Sequence, residues 1–115
     1  MATVTFEGEP ATAMSVASFA TGGVAIIHDI NPAGPPFTGS WARAGGNGFR
    51  ATLWSGFPGQ GGPGSVGGTA RLQLIGKLRG NETIDGTFTA TEFDGATGDE
   101  VGQFGGTFVA ERIVA

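Results

Sequence analysis

Residues 67–80, GGTARLQLIGKLRG, and 83–95, TIDGTFTATEFDG, are followed by residues 99–113, DEVGQFGGTFVAERI. In each stretch the side chains alternate with a period of two, and Gly, Asn or Asp residues stand at the boundaries. That period is typical of β-strands that bury one face. The sequence therefore predicts three consecutive antiparallel strands, joined by tight turns, in the last third of the chain.

The same alternation extends over the rest of the chain, although a short helix is an alternative for residues 11–20 because of their Ala, Met and Ser content. About eight meandering strands close into a small barrel with room for one ligand. We therefore predict an all-β fold, a small antiparallel up-and-down β-barrel that forms a single domain over residues 1–115. The predicted strands are residues 2–7, 11–20, 23–30, 37–44, 48–57, 67–79, 83–93 and 100–112.

Composition narrows the classes of partner. The net charge of -4 is spread along the chain, and the 6 basic residues form no cluster, so no nucleic-acid partner is expected. No apolar run approaches the length of a membrane span, so no membrane partner is expected either. The absence of Cys excludes disulfides and thiolate metal sites. No sequence motif for binding a cofactor or a metal is present. The sequence does not indicate the cellular compartment.

The connections between the predicted strands are unequal in length. Three short ones fall at alternate junctions, so in a meander they lie at one end of the barrel and the longer ones lie at the other. A barrel with one tight end and one loop-rich end usually binds at the loop-rich end. Residues 58–66, PGQGGPGSV, are interpreted either as a mobile lid at that end or as a flexible linker.

Alternation also predicts which side chains point inward. On the third strand Val24, Ile26, His28 and Ile30 share a face, and on the eighth the phase of Phe104 and Phe108 is preferred. Small residues alternate with Phe and Leu on these faces, as expected in a narrow barrel. The pattern leaves open whether the lumen is filled or holds a pocket. The predicted ligand-binding residues are Trp41, Leu53, Leu72, Leu74, Phe88 and Phe104.

Two residues are candidates for chemistry. His28 is the single histidine of the chain, and we expect it near the loop-rich end as a proton-transfer group or polar anchor. Glu92 is expected at the same end as a buried carboxylate. The alternatives are a histidine bonded to backbone or water, and a glutamate turned to solvent at a strand end. Arg43 and Glu111 are expected to pair at the tight end, as structural groups.

Trp54 lies in the phase opposite to Trp41, together with Arg50 and Thr52. An exposed Trp there suggests the interface of a homodimer or a ligand platform, with cover by a neighbouring loop as the alternative.

The segment from Phe37 to Ile113 resembles a group of small bacterial lipocalin-like (calycin-type) proteins. It contains a G-x-W-x-R-x-G…F-x-A-T pattern and the closing strands GTFT and GTFVAERI. The pattern is matched by Gly39, Trp41, Arg43, Gly45, Phe49, Ala51 and Thr52. The resemblance implies a barrel that binds apolar molecules, and more distantly a fold like that of allene oxide cyclases, which run cofactor-free cyclisations.

The leading expectation is therefore binding of a small apolar molecule in the barrel cavity, without a cofactor. The first alternative is a cofactor-free isomerase or cyclase acting in the same cavity, with His28 or Glu92 moving a proton. The second is a packed barrel that serves as a structural or interaction module through the Trp54 face. The sequence leaves open whether the protein is an enzyme.

Overall fold

The computed structural model describes residues 2–8, 12–31, 35–58, 66–80 and 82–113, and all eight of its secondary-structure elements are strands. Each predicted strand is confirmed to within one residue at either end, and residues 12–20 form a strand rather than the alternative helix. The proposed lid, residues 58–66, lies outside the described residues except for its two ends. The strands are β1 Ala2–Gly8, β2 Thr12–Ala20, β3 Val24–Asn31, β4 Phe37–Arg43, β5 Gly48–Pro58, β6 Val66–Arg79, β7 Thr83–Asp94 and β8 Glu100–Arg112.

The strands form one closed barrel in sequence order. Every strand pairs antiparallel with the next, and β8 returns to pair with β1, where Val4 lies opposite Ala110. Closure leaves no unpaired sheet edge, which is the usual way for a small all-β chain to satisfy its backbone hydrogen bonds. The predicted antiparallel up-and-down barrel is confirmed.

The middle of the barrel is filled by side chains. Large, almost completely buried side chains point inward from five of the strands, namely β1, β3, β5, β6 and β8. The phase of Phe108 on β8 is confirmed as the inner one, because Val101 and Val109 of the competing phase are exposed. The largest fully buried apolar side chains are Phe49, Phe108, Ile27, Leu53, Leu74 and Val4.

Glycines make room for these aromatic side chains. Phe108 lies opposite Gly86 on β7, and Phe88 lies opposite Gly106 on β8. A Cβ atom built on Gly86 would come within 2.0 Å of the Ile75 carbonyl oxygen on β6. The close approach of the two strands therefore requires a residue without a side chain at this position. The Phe108 ring lies against Gly76 on β6, 3.0 Å from a Cβ built there.

The two ends of the barrel differ, as the lengths of the connections predict. We call the end with the connections at 21–23, 44–47 and 80–82 the turn end, and the opposite end the loop end. The turn at 44–47 is closed by hydrogen bonds from Gly48 N to Gly45 O (2.8 Å) and from Ala44 N to Gly48 O (3.0 Å). Gly45 and Gly46 there have φ values of 57° and 45°, which favour glycine.

Candidate binding sites at the two ends of the barrel

The filled middle separates two pockets inside the barrel. The pocket at the turn end has a volume of about 240 Å³, and the pocket at the loop end has a volume of about 120 Å³. The sequence-based expectation placed the site at the loop end, whereas the larger pocket is at the turn end. The lumen is therefore neither one continuous cavity nor fully packed.

Aromatic side chains form the wall of the turn-end pocket. The Trp41 indole stacks on the Phe49 ring, with centroids 5.9 Å apart and an interplanar angle of 22°. Phe19 packs edge-on against both rings, at 6.3 Å from Trp41 and 5.0 Å from Phe49. Small and aliphatic side chains, among them Ala2 and Ala17, complete the lining. This wall is apolar and offers ring faces to a guest.

Hydrogen bonds hold Trp41 in place. Its indole Nε1 donates to the Ala20 carbonyl oxygen (2.8 Å), and its backbone N donates to the Gly23 carbonyl oxygen (2.9 Å). Ala20 is the last residue of β2 and Gly23 is the last residue of the turn that follows, so the two hydrogen bonds tie both sides of the β2–β3 turn to Trp41 on β4. The pocket wall is therefore set by the fold itself and needs no guest to form it.

Charged side chains stand at the mouth of the same pocket, namely Arg43, Glu82 and Arg112. The expected pair between Arg43 and Glu111 does not form. Within the described ranges the ion pair is instead between Arg79 Nε and Asp85 Oδ2, at 2.7 Å on the outer surface. The mouth is thus polar, while the interior behind it is apolar.

The pocket at the loop end contains a residue that the sequence analysis missed. It is lined by four phenylalanines together with Leu72, Ala90 and the carboxylate of Asp29. Asp29 lies opposite Ser15 in the β2–β3 register, and the buried Ser15 hydroxyl donates a hydrogen bond to Asp29 Oδ1. A carboxylate thus lies in an otherwise apolar pocket, supported by a strand neighbour.

The predicted inward face of β3 was wrong, because the side chains that point inward are those of the opposite alternation. Ala25 and Ile27 are fully buried, whereas Ile26 and Ile30 are about half exposed. His28 shares the outer phase and is exposed, facing an outer depression beside Val16 and Ser18. The expected placement of His28 in the lumen is therefore incorrect. Ile27 and Asp29 lie two residues apart and therefore share the inner face of β3. This alternation is the sequence feature from which an inward-facing Asp29 could have been predicted.

Glu92 also does not line either pocket. It is exposed near the loop end, where β7 approaches the turn at 95–99. The expectation of a buried carboxylate is wrong, and the alternative of a strand-end residue turned to solvent agrees with its exposure. His28 and Glu92 therefore do not form a common site in the lumen.

The six predicted ligand-binding residues divide among three places. Trp41 lines the turn-end pocket, while Leu72, Phe88 and Phe104 line the loop-end pocket. Leu53 and Leu74 are 0% and 1% exposed and belong to the filled middle. The prediction identified inward-facing residues correctly, but they do not meet in one cavity.

Trp54 lies on the outer face and is 44% exposed, as its phase predicts. Its ring lies 5.7 Å from the Phe93 ring, and the Arg71 guanidinium carbon lies 5.7 Å from the Trp54 centroid and 5.5 Å from that of Phe93. These contacts between strands partly cover Trp54 and give it a structural role through cation–π and aromatic packing.

The described ranges do not contain the features of a metal site or of a membrane-spanning helix. No group of three or more His, Asp or Glu side chains there is arranged to hold a metal ion. The same residues include no helix long and apolar enough to cross a membrane.

Comparison with known proteins matched no family model, no curated protein and no solved structure. The lipocalin-like resemblance therefore rests on the sequence motifs given above.

Proposed function

We propose that the protein binds a small apolar molecule in the turn-end pocket. The observation that carries the proposal is the preformed aromatic wall, in which Trp41 stacks on Phe49 and is tied to the β2–β3 turn by two hydrogen bonds. Pockets lined mainly by apolar and aromatic groups, with a few polar groups for orientation, are the usual binding sites for small molecules. A wall that is already ordered loses little side-chain entropy on binding.

The size of the pocket limits the guest. Sites for drug-sized molecules commonly span roughly 300–1,000 Å³, and the turn-end pocket is smaller, at about 240 Å³. The guest is therefore a compact molecule rather than a long chain. Its apolar body contacts the rings, and any polar end stays at the mouth beside Arg43, Glu82 and Arg112.

No structural observation specifically supports either alternative, the cofactor-free isomerase or cyclase or the interaction module. The proton-transfer role expected of His28 and Glu92 is not supported, because His28 lies on the outer face and Glu92 is exposed. The carboxylate that does lie in the lumen, Asp29, belongs to the loop-end pocket. Trp54 is 44% exposed, but its packing on Phe93 and Arg71 accounts for its place on the outer face without a partner protein.

The test uses the fluorescence of Trp41 as an internal reporter. The chain has 2 tryptophans, and a Trp54→Phe variant retains Trp41 alone. The probe is 1-adamantanol, a compact neutral molecule that does not fluoresce. The proposal predicts a saturable change in Trp41 emission on titration. A spectrum that stays constant up to the solubility limit of the probe would contradict it.

A further inference from the structure

We infer that the loop-end pocket is a second binding site, separate from the turn-end pocket, and that it takes a small organic ammonium ion. The inference rests on the juxtaposition of the Asp29 carboxylate with four phenylalanine side chains in one pocket. It does not depend on the proposed function, because the filled middle of the barrel lies between the two sites.

The four phenylalanines line the same pocket as Asp29. Phe6 and Phe88 pack edge to face with centroids 5.1 Å apart, and Phe88 and Phe104 do so at 6.3 Å. Phe37 completes the set on β4. Phe104 is 41% exposed, so part of its ring surface is accessible, and the face of a ring carries the negative part of its quadrupole, which attracts cations.

The carboxylate has unused capacity to accept hydrogen bonds. Ser15 donates to Oδ1 of Asp29, and a carboxylate has about four acceptor positions on its two oxygens. Among the residues that the structure describes at this pocket, none carries a positive charge. A cationic guest would therefore supply both a partner for the carboxylate and a charge for the ring faces.

The chemistry of the pocket favours a cation over an anionic or a neutral guest. A carboxylate or phosphate guest would be repelled by Asp29, and a neutral apolar guest would leave the carboxylate without a cationic partner. The volume of about 120 Å³ is half that of the turn-end pocket, at about 240 Å³, so the guest is small. A primary ammonium group on a short apolar or aromatic body meets these conditions.

The experiment compares benzylammonium with benzyl alcohol, which has nearly the same shape and no charge. Each probe is titrated into the intact protein, and binding is followed by NMR of the phenylalanine ring signals together with the Trp41 indole signal. We expect benzylammonium to bind about tenfold or more tightly than benzyl alcohol and to shift the signals of Phe88 and Phe104. The Trp41 signal, at the other end of the barrel, should not move with it.

Asp29→Asn is the decisive variant, because it keeps the shape and the acceptor for Ser15 but removes the charge. The preference for benzylammonium should fall to about onefold, whereas Asp99→Asn, an exposed carboxylate at the same end, should retain the wild-type preference. Should Asp29→Asn fail to fold, Phe104→Leu replaces it and should weaken benzylammonium binding more than benzyl alcohol binding. Equal affinity for the two probes in the wild type, or an unchanged preference in Asp29→Asn, would overturn the inference.

Discussion

Trp41 stacks on Phe49 at a centroid distance of 5.9 Å, so that two neighbouring strands present a continuous aromatic surface to the interior. Phe49 is 0% exposed and also belongs to the filled middle, whereas Trp41 is partly exposed at the pocket. This pair therefore joins the packed core to the candidate site. A change that shifts Phe49 should affect both stability and binding.

Filling the turn-end pocket should abolish binding there. Ala2 lines the pocket near the start of β1, and an Ala2→Leu substitution would place a larger side chain in the space that the guest needs. We expect the affinity for 1-adamantanol to fall at least about tenfold, measured by Trp41 fluorescence. Ala42→Leu is the matched control, because Ala42 is exposed on the outer phase of β4 and should leave the affinity unchanged.

The filled middle should dominate the stability of the barrel. Leu53 is 0% exposed, and Leu53→Ala should lower the free energy of unfolding by about 2–5 kcal/mol through lost burial and the cavity that remains. Ile75→Ala is the comparison, since Ile75 is 54% exposed and should change the free energy of unfolding by about 0.5 kcal/mol or less. Urea denaturation of both variants measures the difference; equal losses would show that the middle is not the stabilising core.

Gly86 should not tolerate a side chain. The Cβ of Gly86→Ala would meet the Ile75 carbonyl oxygen, and the strands would have to separate, which we expect to cost about 1–3 kcal/mol. Gly102→Ala tests the specificity of this effect, because nothing lies within 4 Å of a Cβ at that position. Thermal or urea unfolding should show a loss for the first variant and no loss for the second.

Asp94 should make a pH-dependent contribution to stability. Backbone hydrogen bonds from Thr97 and Ala96 to its carboxylate lower the pKa of Asp94 below its ordinary value of 3.8. Because the pKa is lower in the folded protein, the contribution is fully present above pH 3.8 and is lost as the pH falls through the lowered pKa. The wild type should therefore exceed Asp94→Asn in free energy of unfolding at neutral pH, and the gap should close in acid. A gap that widens in acid would refute this account.

Much of the fold could be predicted from the sequence because strand alternation and turn glycines act locally. The predicted inward residues Leu53, Leu74 and Phe108 are buried. Each follows a polar residue of the opposite phase, namely Thr52, Gln73 and Thr107. β3 failed because Val24, Ile26 and Ile30 are apolar but lie outside, while the inner phase contains Ala25 and Asp29. Hydrophobicity alone points the wrong way on such a strand.

The candidate sites were less accessible to sequence reasoning. Leu53 and Leu74 belong to the buried cluster that fills the middle of the lumen, and its formation depends on how side chains from separate strands pack in space. The partnership of Ser15 with Asp29 likewise follows from the β2–β3 register, which shifts at a bulge between Met14 and Ser15. A pattern along one strand contains neither piece of information.

The most direct test of the central claim is the titration of the Trp54→Phe protein with 1-adamantanol, repeated in the same protein carrying Ala2→Leu. The account predicts a saturable change in Trp41 fluorescence in the first protein and an affinity at least about tenfold lower in the second. An affinity that Ala2→Leu leaves unchanged, or no binding in either protein, would contradict the assignment of the turn-end pocket as the site for a small apolar molecule.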